Sequence, residues 1–230
     1  MLLRSAAIPH RQNRPYWRQP CALLLIALCL SILLYPLAHE NHDGRILLML
    51  IDQALIQIAI RAVGHSKASW RAGLLFGLLS LAAQITWLIE PNTHTQILSH
   101  VGLLVFYAHA VYVFIAYVNY DDVATMDEMF ACACLYLLFA FLWSHAYAIL
   151  LALDPSALYI NDANNPDGVI TYFESLYFSF TTITSVGFGE ITPVSSWARA
   201  IVILQQLTGV LFLAIVVARL LSLMNRRRGD

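Results

Sequence analysis

The feature that most restricts the fold of this chain is a series of long apolar segments. A bilayer core about 30 Å thick is crossed by roughly 20 apolar helical residues. Six runs come close to that length, at approximately 21–38, 46–63, 72–90, 97–118, 129–153 and 198–224. Only 12% of the 230 residues are charged, about half the fraction found in soluble domains. The sequence therefore predicts an all-α integral membrane protein with six transmembrane helices.

The distribution of Lys and Arg predicts the orientation of these helices. Basic residues precede the first run, surround the connection between the second and third, and follow the last run. These segments share one side if all six runs cross, and the other side keeps only Arg45 and Arg199. Cytoplasmic segments are enriched in basic residues, so we expect 1–20 and the carboxyl terminus in the cytoplasm. The compact chain favours a bacterial inner (plasma) membrane.

A seventh apolar stretch, 170–183, is too short to cross the bilayer and lies between two complete runs. We expect it to enter the membrane as a helix and turn back. A loop at 184–190 follows it, and irregular backbone at membrane depth is tolerated where it lines a watery path or is buried in protein. The preceding connection, 154–169, is rich in Asn, Asp and Pro and is typical of an exposed turret.

The loop has the composition needed to bind a dehydrated cation. Such an ion needs several oxygen atoms in place of its water shell, and backbone carbonyls supply them when they all point to one axis. Gly187 and Gly189 alternate with Val186 and Phe188, and glycine accepts a positive φ at little cost. Ser185 adds a hydroxyl oxygen at the inner end. One strand cannot surround an ion and the chain has one copy, so four chains are expected around the axis.

The string T-x-T-S-V-G-F-G-E, at 182–190, resembles the selectivity filter of the potassium channel family, whose common form is T-V-G-Y-G-D. The resemblance covers about 165–224. It implies a homotetramer in the lipid bilayer that conducts K+ passively, with no enzyme activity and no cofactor. It also implies that K+ binds at Ser185, Val186, Gly187 and Phe188, with Gly189 completing the filter. The residues expected to support the filter are Tyr177, Phe178, Thr181, Thr184 and Glu190.

Three positions depart from the family pattern. Ser185 replaces threonine, Phe188 replaces tyrosine and Glu190 replaces aspartate. Phe188 thereby lacks a hydroxyl that ties the family's filter to its pore helix. The string is similar to that of ether-à-go-go-related potassium channels, whose filters inactivate readily, so we expect a loosely braced filter. A weakly selective cation channel of the same fold remains the alternative interpretation.

The last run carries the candidate gate. By resemblance, Gly209 corresponds to a family glycine that acts as a hinge, whereas the alternative is close helix packing through a small residue. Leu213, Val217 and Ala218 lie below it and would form an apolar constriction. Gln205 and Gln206 are polar at membrane depth. We expect one of them to hydrogen-bond to the pore helix or to line the cavity, and the other to pack between helices.

The sequence divides into a four-helix domain at 21–118, a linker at 119–128 and a pore domain at 129–225. A voltage sensor needs basic residues at every third position of the fourth span, but the run 97–118 has none and carries His100 and His109. Asp52 is the one acid deep in the second run, with either a structural or a sensing role. The stimulus is left open among pH, lipid, tension, a ligand and an unknown regulatory partner. Nothing in the charge pattern indicates nucleic acid binding.

Overall fold

The computed structural model describes residues 19–39, 42–63, 66–119, 125–161, 163, 165 and 168–229. Within these ranges the chain forms seven helices and two short strands. The elements are α1 (Pro20–His39), α2 (His42–Val63), α3 (Lys67–Ile89), α4 (Thr93–Val118), α5 (Met126–Leu153), β1 (Leu158–Ile160), α6 (Tyr172–Ile183), β2 (Ile191–Pro193) and α7 (Ser196–Gly229). The mostly helical fold agrees with the class expected from the apolar runs.

Four of these helices are long and apolar enough to cross a membrane. They are Lys67–Ile89, Thr93–Val118, Met126–Leu153 and Ser196–Arg219. The apolar part of α1, Pro20–Pro36, is shorter, and α2 carries charged residues along its length. The membrane character of the protein is therefore supported, whereas the first two of the six spans stay a prediction.

Helix capping accounts for the boundaries that differ from the predicted ones. Helix α5 begins three residues before position 129, because Thr125 and Glu128 form a capping box. Thr171 and Glu174 form the same arrangement, so α6 begins at Tyr172 rather than at 170. Residues 126–128 of the predicted linker are consequently helical. Helix α7 also extends beyond the predicted 198–224 at both ends.

The amino-terminal helices pack against helix α5 of the same chain. One continuous core contains buried residues of α1, α2, α4 and α5, including Leu28, Ile56, Phe114 and Leu138. At its far end the Asp127 carboxylate accepts hydrogen bonds from the Tyr117 hydroxyl (2.6 Å) and the Cys21 amide (3.1 Å). Within the described chain these helices therefore contact α5 of the same chain, and their contacts in an assembly stay a prediction.

A second, smaller core surrounds helix α6 and the two strands. Tyr147, Phe178, Ile191 and Val202 are buried together there. Strands β1 and β2 pair antiparallel, with Leu158 opposite Pro193. The connection predicted as a turret is therefore anchored by a strand to the segment that follows the 184–190 loop. This pairing places the loop between a helix on one side and a two-stranded ladder on the other.

Candidate functional site

The φ angle alternates in sign along the 184–190 loop. Gly187 (φ +53°) and Gly189 (φ +95°) have positive φ angles, and so does Ser185 (φ +59°). Val186 and Phe188 between them do not. In an extended chain successive carbonyls point to opposite sides. A positive φ at every second residue turns them to the same side. The loop thus has the backbone pattern that a row of coordinating carbonyls requires.

The inner end of the loop is fastened to the carboxyl end of helix α6. The Thr181 carbonyl accepts hydrogen bonds from the amides of Val186 (3.0 Å) and Gly187 (3.1 Å). The Thr184 hydroxyl, at the C-cap, donates to the Phe180 carbonyl (2.7 Å). These bonds satisfy carbonyls that a helix end otherwise leaves without partners. They also place the negative end of the α6 dipole beside the loop, where it favours a cation.

The outer end of the loop is held through Glu190. The Tyr177 side chain on helix α6 interacts electrostatically with the Glu190 carboxylate. The Glu190 carbonyl accepts from the Asn161 amide (3.0 Å), which continues the β1–β2 ladder by one bond. Both ends of the loop are therefore attached to ordered structure. Tyr177, Thr181, Thr184 and Glu190 lie at these attachments, and their role in supporting a filter stays a prediction. Phe178 is buried behind them, with its ring 4.9 Å from that of Tyr147.

Gln205 connects three helices behind the loop. Its side chain is fully buried, and its amide donates to the Ser179 carbonyl (2.9 Å) and hydroxyl (2.7 Å). Its oxygen accepts from the Tyr147 hydroxyl (2.5 Å), which lies near the Thr182 side chain. The expectation that one of the two glutamines bonds to the pore helix is confirmed for Gln205, while Gln206 is exposed beside the loop.

Gly209 lies directly against the end of helix α6. A Cβ atom added to it would stand 2.3 Å from the Ile183 carbonyl oxygen. That oxygen also accepts a hydrogen bond from the Tyr136 hydroxyl (2.8 Å). Close packing thus accounts for the glycine, and the hinge remains a prediction. Leu213, Val217 and Ala218 are exposed on this single chain.

Several features of the site have no signal in the local sequence. Ser185 adopts a positive φ although it is not a glycine, and only the period of two shared with Gly187 and Gly189 points to it. The β1–β2 pairing joins segments about 30 residues apart. His100 and His145 meet in the helix bundle, although 45 positions separate them. The Asp52 side chain, for which two roles were left open, lies outside the described residues.

Comparison with known proteins supports an ion channel. Residues 131–226 match a family model described as "Ion channel". The matched segment includes most of α5, all of α6, the 184–190 loop and most of α7. No curated protein and no solved structure is significantly similar to the chain. The likeness therefore rests on the part of the chain that holds the loop, and it supports a channel in a membrane rather than an enzyme.

Proposed function

We propose that this chain is one subunit of a homotetrameric potassium-selective channel. The observation that carries the proposal is the alternation of φ at Ser185, Gly187 and Gly189, within a string that resembles the potassium channel filter. Carbonyls of Ser185, Val186, Gly187 and Phe188 would replace the water shell of K+. The Ser185 hydroxyl would complete the innermost site, and K+ crosses passively as the permeant ion.

The exposed apolar surface of the single chain supports the assembly into four copies. The side chains of Val186 and Phe188 are 55% and 73% exposed, although they belong to a loop fastened at both ends. Much of helix α7, including Leu211 and Ile215, is likewise exposed. Apolar surface of this extent is covered by lipid or by protein. Because a ring of carbonyls needs several chains, the copies are arranged with the loops around one axis.

The membrane arrangement belongs to the same proposal. Helices α1–α5 and α7 supply six spans, and α6 with the 184–190 loop re-enters from the side that carries the β1–β2 ladder. The basic residues support a cytoplasmic position for both termini, and we propose a bacterial inner membrane as the location. Gly209, Leu213, Val217 and Ala218 lie toward the cytoplasmic half of α7, where a gate would close the pore.

The proposal is tested by ion flux through the purified protein in liposomes, with K+ and Na+ gradients measured separately. A flux that follows the K+ gradient and a reversal potential that tracks K+ are expected. Equal passage of both ions would support a channel but refute potassium selectivity, and would favour a weakly selective cation channel of the same fold. Absence of flux with either ion, over a range of pH and voltage, would contradict the proposal for the isolated protein.

A matched pair of glycine substitutions tests the role of the loop. Gly187→Ala introduces a Cβ at φ +53°, which costs about 1–2 kcal/mol in each subunit because an L-residue is strained there. K+ flux is expected to be abolished. Gly168→Ala is the control, since Gly168 also has a positive φ (+69°), with no atom near the added Cβ, but lies outside the loop. Equal loss of flux in both variants would argue against a conducting loop at 184–190.

A further inference from the structure

A cavity of about 820 Å³ lies among helices α1 to α5 and the start of α6. Its walls are mostly aliphatic and aromatic, with Leu103, Phe106 and Phe141 in its interior. Exposed Thr93, Pro155 and Gly168 lie at the end of the bundle that carries the β1–β2 ladder. The described lining residues include no Lys, Arg, Asp or Glu. The cavity is therefore large and mainly apolar, and its described wall carries no formal charge.

Two buried histidines belong to the polar part of the cavity wall. His100 and His145 are 8% and 3% exposed, and their Nδ1 atoms lie 3.3 Å apart. The other ring nitrogen of His145, Nε2, lies 3.3 Å from the Tyr172 hydroxyl. The Tyr172 ring also stacks on both imidazoles, with centroids 4.9 Å from His145 and 5.8 Å from His100.

The contacts of this cluster favour one assignment of its protons. The Tyr172 hydroxyl accepts from the Ser144 hydroxyl (3.1 Å), and we assign the Tyr172 proton to Nε2 of His145, because a phenol is a good donor and an imidazole nitrogen a good acceptor. His145 then carries its proton on Nδ1 and donates it to Nδ1 of His100. A neutral His100 must consequently carry its own proton on Nε2. Within the described residues this N–H has no hydrogen-bond partner, although the His100 side chain is more than nine-tenths buried and lines the cavity.

We propose that the cavity binds a neutral, mainly apolar molecule whose carbonyl or ether oxygen accepts the hydrogen bond from His100 Nε2. A volume of about 820 Å³ falls in the range of sites for drug-sized ligands, roughly 300–1,000 Å³. A charged ligand is disfavoured, because a charge buried without a partner is costly and the described lining residues offer no counter-charge. An apolar body with one acceptor oxygen matches both the walls and the unused donor of buried His100.

The position of the cavity links this binding site to the pore. Tyr172 is the first residue of helix α6, and α6 leads directly into the 184–190 loop. The histidine pair contacts Tyr172 through both a hydrogen bond and ring stacking. A ligand bound to His100 therefore touches the cluster that positions the start of α6. The binding itself is measured without ion flux, so it stands or fails independently of potassium selectivity.

The test is photolabelling of the full chain, reconstituted in lipid nanodiscs, with 4-hexylbenzophenone. This probe is neutral and apolar, has one carbonyl acceptor, and attaches covalently to nearby C–H groups under ultraviolet light. Saturable labelling that maps by peptide mass spectrometry to the cavity segments of α4 and α5 is expected. Labelling that does not saturate, or that spreads over the lipid-facing surfaces, would overturn the proposal.

Two variants separate the hydrogen bond from the volume of the cavity. His100→Phe keeps a ring but removes the donor, and the probe should bind about 3- to 10-fold more weakly, as expected for the loss of one hydrogen bond. Ala152→Phe fills part of the cavity and should abolish specific labelling. Ala116→Phe, on an exposed position of α4 outside the cavity, is the control and should leave labelling unchanged. If all three variants were labelled to the same extent as the wild-type chain, the site would be refuted.

Competitors test the chemistry on the unmodified chain. The carbonyl-free analogue 4-hexyldiphenylmethane should displace the probe less well than unlabelled 4-hexylbenzophenone, and equal displacement would refute the hydrogen bond. Dioleoylglycerol in the bilayer and 2-nonanone added from water both carry neutral acceptor oxygens. Displacement by the first assigns the ligand to membrane lipids, and displacement by the second assigns it to small soluble molecules. Displacement by neither would overturn the proposed ligand class.

Discussion

Replacement of Gly209 by alanine tests how helix α7 supports the loop. The added Cβ would lie 2.3 Å from the Ile183 carbonyl oxygen and 2.9 Å from Ile183 Cγ1. Real Cβ contacts essentially never fall below 3.0 Å, so the two helices must separate by about 0.7 Å, the difference between these two distances. The atom in the way is backbone, and it cannot rotate aside as a side chain could.

The expected cost of Gly209→Ala is about 1–3 kcal/mol per subunit, the usual range for overpacking. Ile183 is the last residue of α6, so its displacement is passed to Thr184 and the loop. We expect a lower thermal stability of the assembled protein, followed by size-exclusion chromatography after heating. If the proposed function holds, we also expect K+ flux in liposomes to fall by about tenfold or more, because the carbonyls proposed to bind K+ follow directly after Ile183.

Gly77→Ala is the matched control for this prediction. Its added Cβ would lie 3.4 Å from Phe106 Cε2 and 3.7 Å from Gln53 Nε2, which are ordinary contacts. Alanine also favours a helix over glycine by about 1 kcal/mol, so this variant should be as stable as the wild type or more so. If Gly209→Ala kept both its stability and its flux, the close-packing argument would be wrong. A change in channel opening with unchanged stability would instead favour the hinge.

Three further substitutions have defined outcomes. Gln205→Leu leaves buried partners unsatisfied and should destabilise the protein by about 1–3 kcal/mol in thermal unfolding. Gln206→Leu, at an exposed position, should not. Equal effects of the two substitutions would contradict the hydrogen bonds of Gln205 to Ser179 and Tyr147. Tyr117→Phe removes one hydrogen bond to buried Asp127 and should cost about 0.5–1.5 kcal/mol by the same measurement, and an unchanged stability would show that this bond contributes little. Phe188→Tyr should slow the decay of open-channel current by restoring a hydroxyl, and an unchanged decay would remove support for a loosely braced filter.

The helices of this protein were predictable because hydropathy is a local property. Each of the six apolar runs lies largely within one helix, since a helix is what satisfies backbone hydrogen bonds in an apolar solvent. The helix starts at Met126 and Tyr172 were missed although the pattern Thr-x-x-Glu stands before both. That signal was present in the sequence, and apolar runs alone do not include the polar caps.

Contacts between distant segments could not be predicted from local patterns. Gln205 is distinguished from Gln206 only by the direction in which helix α7 presents each side chain to Ser179 and Tyr147. The same holds for His100 and His145, which became part of one cavity wall only through the packing of α4 on α5. Sequence spacing alone does not show which faces of two helices meet.

The amino-acid sequence by itself determined the membrane-type helices and the position of the 184–190 loop, because both depend on apolar length and on glycine spacing. Only the tertiary structure decided how that loop is held. The positive φ of Ser185 depends on bonds from the following amides to the Thr181 carbonyl, and Gly209 is required because α7 packs against Ile183. These constraints come from atoms brought together by packing, which is a long-range property of the folded chain.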